Sequence, residues 1–443
     1  MKNIRAVALV AGAVLAATAA FAVPILTRGD ENPNPVRREA KGPAGRRFEY
    51  KSTSAEARKL LFELQARIEN FQVGPENVEL ARKIVALDPT FAMGQYYLSA
   101  VTPVPAGAEK EYMKALELAK KAPEGDRRMI EALYHARVNQ GVDFKKSIEP
   151  VEKLAKDFPG ERWVHLILGQ LLNGDAQGEK ARMAFEQARA IGPRSARVEA
   201  FLAGDDLLKE RYGKARATYV DVEKSLPKGA VPFVIRFGVT FSHLYEGNVD
   251  AALDSLRTYL SEYRSGGLDK QFPEVFIWNA MARINLENGR LDDAMKAYEK
   301  GYESIPGSNL DEIQKQTWLG RLHHGKARTL ARMGRQEQAW AELETIKKMI
   351  EEGGEAAKQY WPAYHYGAGY AKLEAGDFSK AAEHLEQADK NDPFQTLLLA
   401  RAYEKLGQKD KAKQAYQKIL DSQWAGIERP LAYPEAKRKV QAL

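Results

Sequence analysis

Prolines recur at near-constant intervals through the first half of this 443-residue sequence. They end the pairs Asp88-Pro89, Ala122-Pro123, Phe158-Pro159, Gly192-Pro193 and Leu226-Pro227, which are spaced by 34, 36, 34 and 34 residues. Apolar residues at helical spacing precede these pairs, and a proline just beyond a helix cannot continue it. A repeat of this length is typical of chains built from stacked helical hairpins. The spacing therefore predicts an all-α array.

The second half carries a different marker, a glycine followed five residues later by an alanine. The stretch Leu373–Pro393 is the clearest copy, because one helix is expected to end near Gly376 and the next to stop before Pro393. The copies are Gly247/Ala252, Gly289/Ala294, Gly334/Ala339, Gly376/Ala381 and Gly407/Ala412. Glycine tolerates the left-handed conformation at the end of a helix, and small residues let antiparallel helices approach closely. The marker predicts helix–turn–helix units.

These units resemble the tetratricopeptide repeat family. The residues that carry the resemblance include Trp278, Ala282, Gly289, Ala294, Tyr298 and Pro306, and likewise Gly369, Gly376, Ala381, Leu385, Ala388 and Pro393. The resemblance covers residues 55–420 and implies a right-handed α-solenoid of about ten helical hairpins. Glu210 departs from the pattern, because it stands where a turn glycine is usual. Residues 421–443 are expected to cap the solenoid with a short polar helix.

The N-terminus has the pattern of an export signal. Lys2 and Arg5 precede the 21 uncharged residues Ala6–Leu26, which include the small residues Ala20 and Ala22. Residues 1–22 are therefore predicted to be a signal peptide, with an uncleaved membrane anchor as the alternative. Residues 23–54 are rich in proline and basic side chains, which predicts a flexible linker. The expected location is periplasmic or secreted.

Composition and motifs exclude several kinds of chemistry. The chain has no cysteine, which excludes disulfides, thiolate metal sites and a cysteine nucleophile. The sequence shows neither a phosphate-binding glycine loop nor the His-Glu-x-x-His motif of zinc proteases. The acidic pairs Asp205-Asp206 and Asp292-Asp293 are expected at helix ends, stabilised by the helix dipole. We therefore expect no catalytic residue, cofactor or metal, and a mixed net charge of +7 does not predict nucleic-acid binding.

The resemblance implies a binding groove. In arrays of this family the first helix of each hairpin lines the concave wall, and the side chains six and ten residues before the turn glycine point inward. The candidates at those positions are Phe237, Phe241, Asn279, Arg283, His324, Arg328, Tyr366, Tyr370 and Arg401. Arginine forks pair with carboxylates and tyrosines add flat contact area, which fits a peptide with an acidic group. The alternative is that Arg283, Arg328 and Arg401 pair with glutamates on the next helix.

Together, the repeats, the export signal and the absence of catalytic motifs predict a non-catalytic exported scaffold. Its partner would be a protein or peptide, and its work would be assembly or recruitment in the bacterial envelope. A second hypothesis is a cell-wall or carbohydrate-associated factor. In that case the basic residues between Arg37 and Lys51 would bind anionic polymer, and the aromatic cluster at Tyr360 and Trp361 would stack on sugars. Membrane contact is expected only through an uncleaved N-terminal segment.

Overall fold

A computed structural model describes residues 45–72, 74–102, 107–137, 144–226, 231–265, 273–308 and 310–442. The helices are α1 Ala55–Glu69, α2 Pro75–Leu87, α3 Ala92–Val101, α4 Ala108–Ala119, α5 Glu124–Ala132, α6 Tyr134–Arg137, α7 Phe144–Asp157, α8 Arg162–Gly174, α9 Gly178–Ile191, α10 Ala196–Leu208, α11 Tyr212–Ser225, α12 Phe233–Tyr245, α13 Val249–Arg264, α14 Glu274–Glu287, α15 Leu291–Glu303, α16 Glu312–Arg332, α17 Gln336–Glu352, α18 Trp361–Glu374, α19 Phe378–Leu385, α20 Pro393–Lys405, α21 Lys409–Asp421 and α22 Glu428–Ala442. A 3₁₀ helix, Gly354–Tyr360, lies between α17 and α18.

Successive helices pack as hairpins, for example α8 with α9, α14 with α15, and α16 with α17. The predicted all-α fold of stacked helical hairpins is therefore confirmed. The array divides into two compact units, and the division falls inside α12: the N-terminal unit ends at Gly238 and the C-terminal unit begins at Val239. The helix α22 follows the last hairpin and packs against both of its helices, α20 and α21. None of the helices described combines the length and the apolar character needed to span a bilayer.

The turns between paired helices explain the glycine marker. Gly289 and Gly376 both have a φ of +78°, in the left-handed region that glycine adopts without a steric penalty. Glu210 has a φ of +59° at the equivalent turn. A residue with a side chain takes this conformation at a cost of about 1–2 kcal/mol, so the turn geometry is kept even where the glycine is lost.

Small residues let the helices approach as closely as the repeat pattern predicts. A Cβ atom on Gly169 would lie 2.6 Å from Cε1 of Phe185, which projects from the second helix of the same hairpin. The turn-proximal alanines Ala294 and Ala381 are both fully buried. Aromatic rings on one helix therefore fill the space that glycine or alanine leaves on its neighbour.

The N-terminal unit includes residues that the sequence assigned to the linker. Phe48 and Tyr50 are buried, and the Phe48 amide donates a hydrogen bond of 3.2 Å to Glu161. The Tyr50 hydroxyl donates to the same carboxylate at 2.9 Å. The predicted linker of residues 23–54 is therefore wrong for residues 45–54, because two aromatic side chains bury enough apolar surface to order the segment. Residues 23–44 and the predicted signal peptide or anchor, residues 1–22, lie outside the described residues.

Asp88 holds the far end of this N-terminal segment. Its carboxylate accepts hydrogen bonds from the Ser52 hydroxyl at 2.6 Å and from the Thr53 amide at 2.7 Å. It also accepts from the amide and hydroxyl of Thr90, at 3.0 and 2.7 Å. Burial opposes ionisation, but these hydrogen bonds prevail and hold the pKa of Asp88 well below its ordinary value. The segment is thus held by an ionised acceptor, Asp88, as well as by aromatic packing.

Two hydrogen bonds also join the end of α1 to the start of α10 within the N-terminal unit. The Arg197 side chain, in the first turn of α10, donates to the carbonyl of Ile68 at the end of α1, at 3.1 Å. The neighbouring Ser195 hydroxyl donates to the carbonyl of Glu69 at 3.1 Å. These contacts join residues 126 to 129 positions apart. Such contacts lie beyond the neighbouring-repeat packing that a repeat pattern specifies.

Candidate functional site

The predicted groove positions of the C-terminal unit lie on the first helices of successive hairpins. Asn279 and Arg283 are on α14, and His324 and Arg328 are on α16. Tyr366 and Tyr370 are on α18, and Arg401 is on α20. Seven residues from four helices can therefore be compared within one unit.

Arg328 is the centre of the first group that the structure brings together. Its guanidinium donates to the hydroxyl of Tyr366 at 2.9 Å and to that of Tyr298 at 3.1 Å. The same guanidinium lies 5.1 Å from the ring centre of Tyr366 and 5.9 Å from that of Tyr370, within the range of cation–π attraction. All four side chains are buried. The predicted neighbours Arg328, Tyr366 and Tyr370 therefore do meet.

Glu287 supplies the negative charge beside this group. One of its oxygens lies 3.7 Å from Nη1 of Arg328, and the other lies 3.5 Å from Nη1 of Arg332. The Tyr370 hydroxyl donates to Glu287 at 3.3 Å. Burial raises the pKa of Glu287, while the surrounding arginines, Arg328 foremost, oppose that shift. Sequence analysis missed Glu287, although its place two residues before the turn glycine Gly289 could have pointed to it.

His324 is a neutral member of the same wall. Its Nε2 donates to the carbonyl of Ala363 at 3.2 Å, and its ring centre lies 4.6 Å from that of Tyr366. Burial, together with the positive charge of Arg328, holds the pKa of His324 well below its ordinary value. The ring is therefore uncharged at neutral pH and contributes shape and a hydrogen bond.

Arg283 and Arg401 form a second group with carboxylates from the C-terminal segment. Arg283 pairs with Glu428, and both side chains are buried. Arg401 pairs with Glu435 through two parallel hydrogen bonds, Nε to Oε1 at 2.8 Å and Nη2 to Oε2 at 2.6 Å. The predicted groove arginines therefore do have internal partners. Those partners come from α22 and, for Arg328, from α14, whereas the next helix was the predicted source.

The carboxylates Glu428 and Glu435 are seven residues apart on α22 and so share one helix face. That spacing is the signal in the sequence that could have found them. Residues 421–443 were predicted only as a polar cap. In the structure this segment also contributes charged groups to the predicted groove wall.

Arg429 joins the two ends of the C-terminal unit. It donates to the Tyr245 hydroxyl on α12 at 2.8 Å and to the carbonyl of Ser422 at 2.8 Å. Its guanidinium also lies 4.3 Å from the ring centre of Tyr433, whose ring meets that of Tyr245 edge to face at 5.7 Å. We call the contacts of Glu428, Arg429 and Tyr433 with Arg283 and Tyr245 the C-terminal clasp.

Two predicted wall positions lie outside the two arginine groups, and a third belongs to the N-terminal unit. Asn279 is half-buried beside a small surface cavity that Tyr298 and Trp318 also line. Phe241 is half-buried in the C-terminal unit. Phe237 is buried in the N-terminal unit, where its ring centre lies 4.0 Å from that of Phe233.

The acidic pair Asp205-Asp206 has a different stabilising partner from the one expected. Both residues lie near the C-terminal end of α10, where the helix dipole disfavours negative charge. Arg182 instead binds Asp205 at 2.5 Å and Asp206 at 3.0 Å, and Arg211 binds Asp206 at 2.6 Å. Asp292 and Asp293 do lie in the first turn of their helix, as predicted. Across the part of the chain that the structure describes, no three His, Cys, Asp or Glu side chains are grouped as a possible metal site.

Comparisons with known proteins agree with the repeat pattern. Tetratricopeptide repeat models match residues 242–309 and 372–423, the stretches that contain Arg283 and Arg401. Among curated proteins no significant match was found.

Solved structures also match the chain at low sequence identity. PilW, described as a type IV pilus biogenesis factor, is 17% identical over 54% of this chain and 99% of its own, with a TM-score of 0.40. A tetratricopeptide repeat protein from Parabacteroides merdae is 15% identical over 63% of this chain and 99% of its own, with a TM-score of 0.46. A Rap protein complexed with Competence and Sporulation Factor is 12% identical over 88% of this chain and 99% of its own, with a TM-score of 0.47. From the family matches, the chain contains tetratricopeptide repeats within residues 242–309 and 372–423.

Proposed function

We propose that this protein is a non-catalytic scaffold that binds a protein or peptide through the first-helix face of its C-terminal unit. The observation that carries the proposal is the contact of Arg328 with Tyr366 and Tyr370, at positions that the resemblance to the tetratricopeptide repeat family pointed to. Arginine and tyrosine are the side chains that most often dominate protein interfaces, because they combine large contact area with directed hydrogen bonds. Repeat arrays commonly use such a continuous wall for binding.

Export to the bacterial envelope is part of the same proposal. Its support is the N-terminal sequence, in which a basic start, an apolar stretch and small residues near Ala22 follow the pattern of a secretory signal. Assembly or recruitment in the envelope is the work that such an exported scaffold would do.

The cell-wall alternative has less support. Arg46, one of the basic residues it relies on, pairs with Glu124 at 2.8 Å and lies over the ring of Phe158. The aromatic residues Tyr360 and Trp361 pack against the hydrophobic cluster of α16 to α18. These groups have structural roles that account for their presence without a carbohydrate ligand.

Affinity capture from an envelope extract tests the proposed function. The groove variant is Arg328→Lys with Tyr366→Phe, which keeps the positive charge and the ring but removes the guanidinium fork and the hydroxyl that it contacts. The matched control is Arg257→Lys with Tyr403→Phe, the same pair of changes where Arg257 binds Asp254 and Tyr403 binds Glu386 in exposed contacts. Wild type and control should capture the same proteins, and the groove variant should lose at least one of them. If all three capture the same set while remaining folded by circular dichroism, the groove assignment is wrong.

A further inference from the structure

Arg283 has hydrogen-bonding capacity that its internal partner does not use. Its Nη1 donates to Oε1 of Glu428, and its guanidinium lies 5.3 Å from the ring centre of Phe394. Its Nε and Nη2 are buried and have no hydrogen-bond partner among the residues that the structure describes. A buried guanidinium with two unpaired donors is costly, because its charge has lost water without regaining all of its hydrogen bonds.

The neighbouring arginines lack this spare capacity. Arg401 uses a two-pronged contact with Glu435, the geometry that matches an arginine fork to a carboxylate. Arg429 uses all three of its side-chain nitrogens, on Tyr245 and on the carbonyls of Ser422 and Leu420. Arg283 therefore differs from the other arginines of the clasp and wall, since Glu428 engages only one of its nitrogens.

Glu428 is also shared with a second donor. Its other oxygen, Oε2, accepts a hydrogen bond of 2.9 Å from the indole nitrogen of Trp424. The carboxylate is thus held between α14 and its own segment, and only its Oε1 is hydrogen-bonded to Arg283. A carboxylate oriented edge-on to the guanidinium would accept the two parallel hydrogen bonds that Arg283 can donate.

The segment that carries Glu428 is held by two kinds of contact. Ala432 and Ala436, further along α22, are fully buried in the apolar cluster of the last hairpin. The clasp, which begins in the first turn of α22, depends on an ion pair, one hydrogen bond to Tyr245 and an aromatic contact. Ion pairs and hydrogen bonds exchange readily for equivalent contacts with a ligand, whereas buried apolar packing does not. The clasp can therefore open while α22 stays on α20 and α21.

We propose that Arg283 is a carboxylate-binding subsite of the groove, and that Glu428 is the chain's own competitor for it. The ligand that fits is an acidic side chain of a peptide, which replaces Glu428 and engages both edges of the guanidinium beside Phe394. This inference rests on the proposed function, because it assigns the partner's chemistry and the control of the same groove. It predicts that loosening the clasp raises the affinity for acidic peptides.

A peptide copied from the clasp is the probe. A labelled peptide with the sequence of residues 422–433, blocked at both ends, is titrated against the full chain by fluorescence anisotropy. The protein variant Glu428→Gln keeps the size of the side chain and a weak acceptor for Arg283, but removes the competing charge. This glutamate-containing peptide should bind Glu428→Gln at least tenfold more tightly than it binds wild type. A peptide with glutamine in place of its glutamate should show no such preference.

Two further variants make the test specific. Asp250→Asn makes the same change of charge in the exposed pair of Asp250 with Arg290 and should bind as wild type does. Tyr245→Phe leaves Arg283 and Glu428 unchanged but removes the hydroxyl that Arg429 contacts, so it should raise the affinity by a smaller factor. Equal affinity of the glutamate-containing peptide for wild type and Glu428→Gln overturns the inference. An equal gain for both peptides overturns the carboxylate assignment.

The outcome separates this inference from the proposed function. If Glu428→Gln has no effect but the variant at Arg328 and Tyr366 still loses captured proteins, only the carboxylate subsite is wrong. If that groove variant captures everything that wild type does, the proposed function fails whatever the peptide does.

Discussion

Replacing Phe48 with alanine tests whether the N-terminal segment is part of the fold. The Phe48 side chain is 6% exposed and packs edge to face on Phe158 at 5.1 Å between ring centres. A buried phenylalanine changed to alanine costs about 3–5 kcal/mol. Because the segment is an outer element that can partly relax, we expect about 3 kcal/mol, which raises the population of locally open forms roughly 100-fold.

Native-state hydrogen exchange, read by mass spectrometry, measures this change. The amides at the start of α5 and α8 lie closest to the segment and should exchange about 100-fold faster in Phe48→Ala. The matched control is Glu49→Ala, because the neighbouring Glu49 is exposed. It should change exchange by no more than a few-fold. If the two variants exchange alike, Phe48 contributes nothing to stability and the segment acts as the linker that composition suggested.

Three other predictions concern stability. Burial raises the pKa of Asp126 to about 7 in the folded protein. Its contribution to the free energy of unfolding is therefore fullest below pH 4 and is lost as the pH rises towards 7. In chemical denaturation across pH 4–8, Asp126→Asn should reduce the fall of this free energy with pH. Asp88 has the opposite pH dependence, because its pKa is lowered in the folded protein. In the same denaturation series, Asp88→Ala should lower the free energy of unfolding by about 2–3 kcal/mol at pH 7 and by progressively less below pH 4. Gly325→Ala would place a Cβ 2.5 Å from the ring of Tyr298 and should cost about 1–3 kcal/mol, whereas Gly213→Ala, which meets no atom within 4 Å, should be neutral or slightly stabilising in thermal melts. Equal melting temperatures for the two glycine variants would contradict the packing argument.

The helices and turns were predictable because every repeat depends on the same interactions between residues close in sequence. The turn glycines mark left-handed caps, and a glutamate adopts the same geometry at position 210 when the rest of the turn requires it. Counting back from the turn glycines also picked out Arg328 and Tyr366, and these two side chains are in contact. These features depend on residues within one hairpin or two neighbouring ones.

Contacts between residues far apart in the sequence were not predictable in the same way. Arg283 and Glu428 are 145 positions apart, and Arg429 and Tyr245 are 184 apart. Whether such residues meet depends on small rotations that accumulate from repeat to repeat, which spacing does not encode. The linker prediction was wrong for residues 45–54 for a related reason. Average composition over 23–54 concealed Phe48 and Tyr50, whose partners lie far along the chain.

Hydrogen exchange of the full chain, alone and with a captured partner, tests the central claim most directly. The account predicts slower exchange in α14, α16 and α18, which carry Arg283, Arg328 and Tyr366, and faster exchange in residues 422–433 as the clasp opens. Protection confined to the N-terminal unit or to the second helices α15, α17 and α19, with residues 422–433 unchanged, would contradict it.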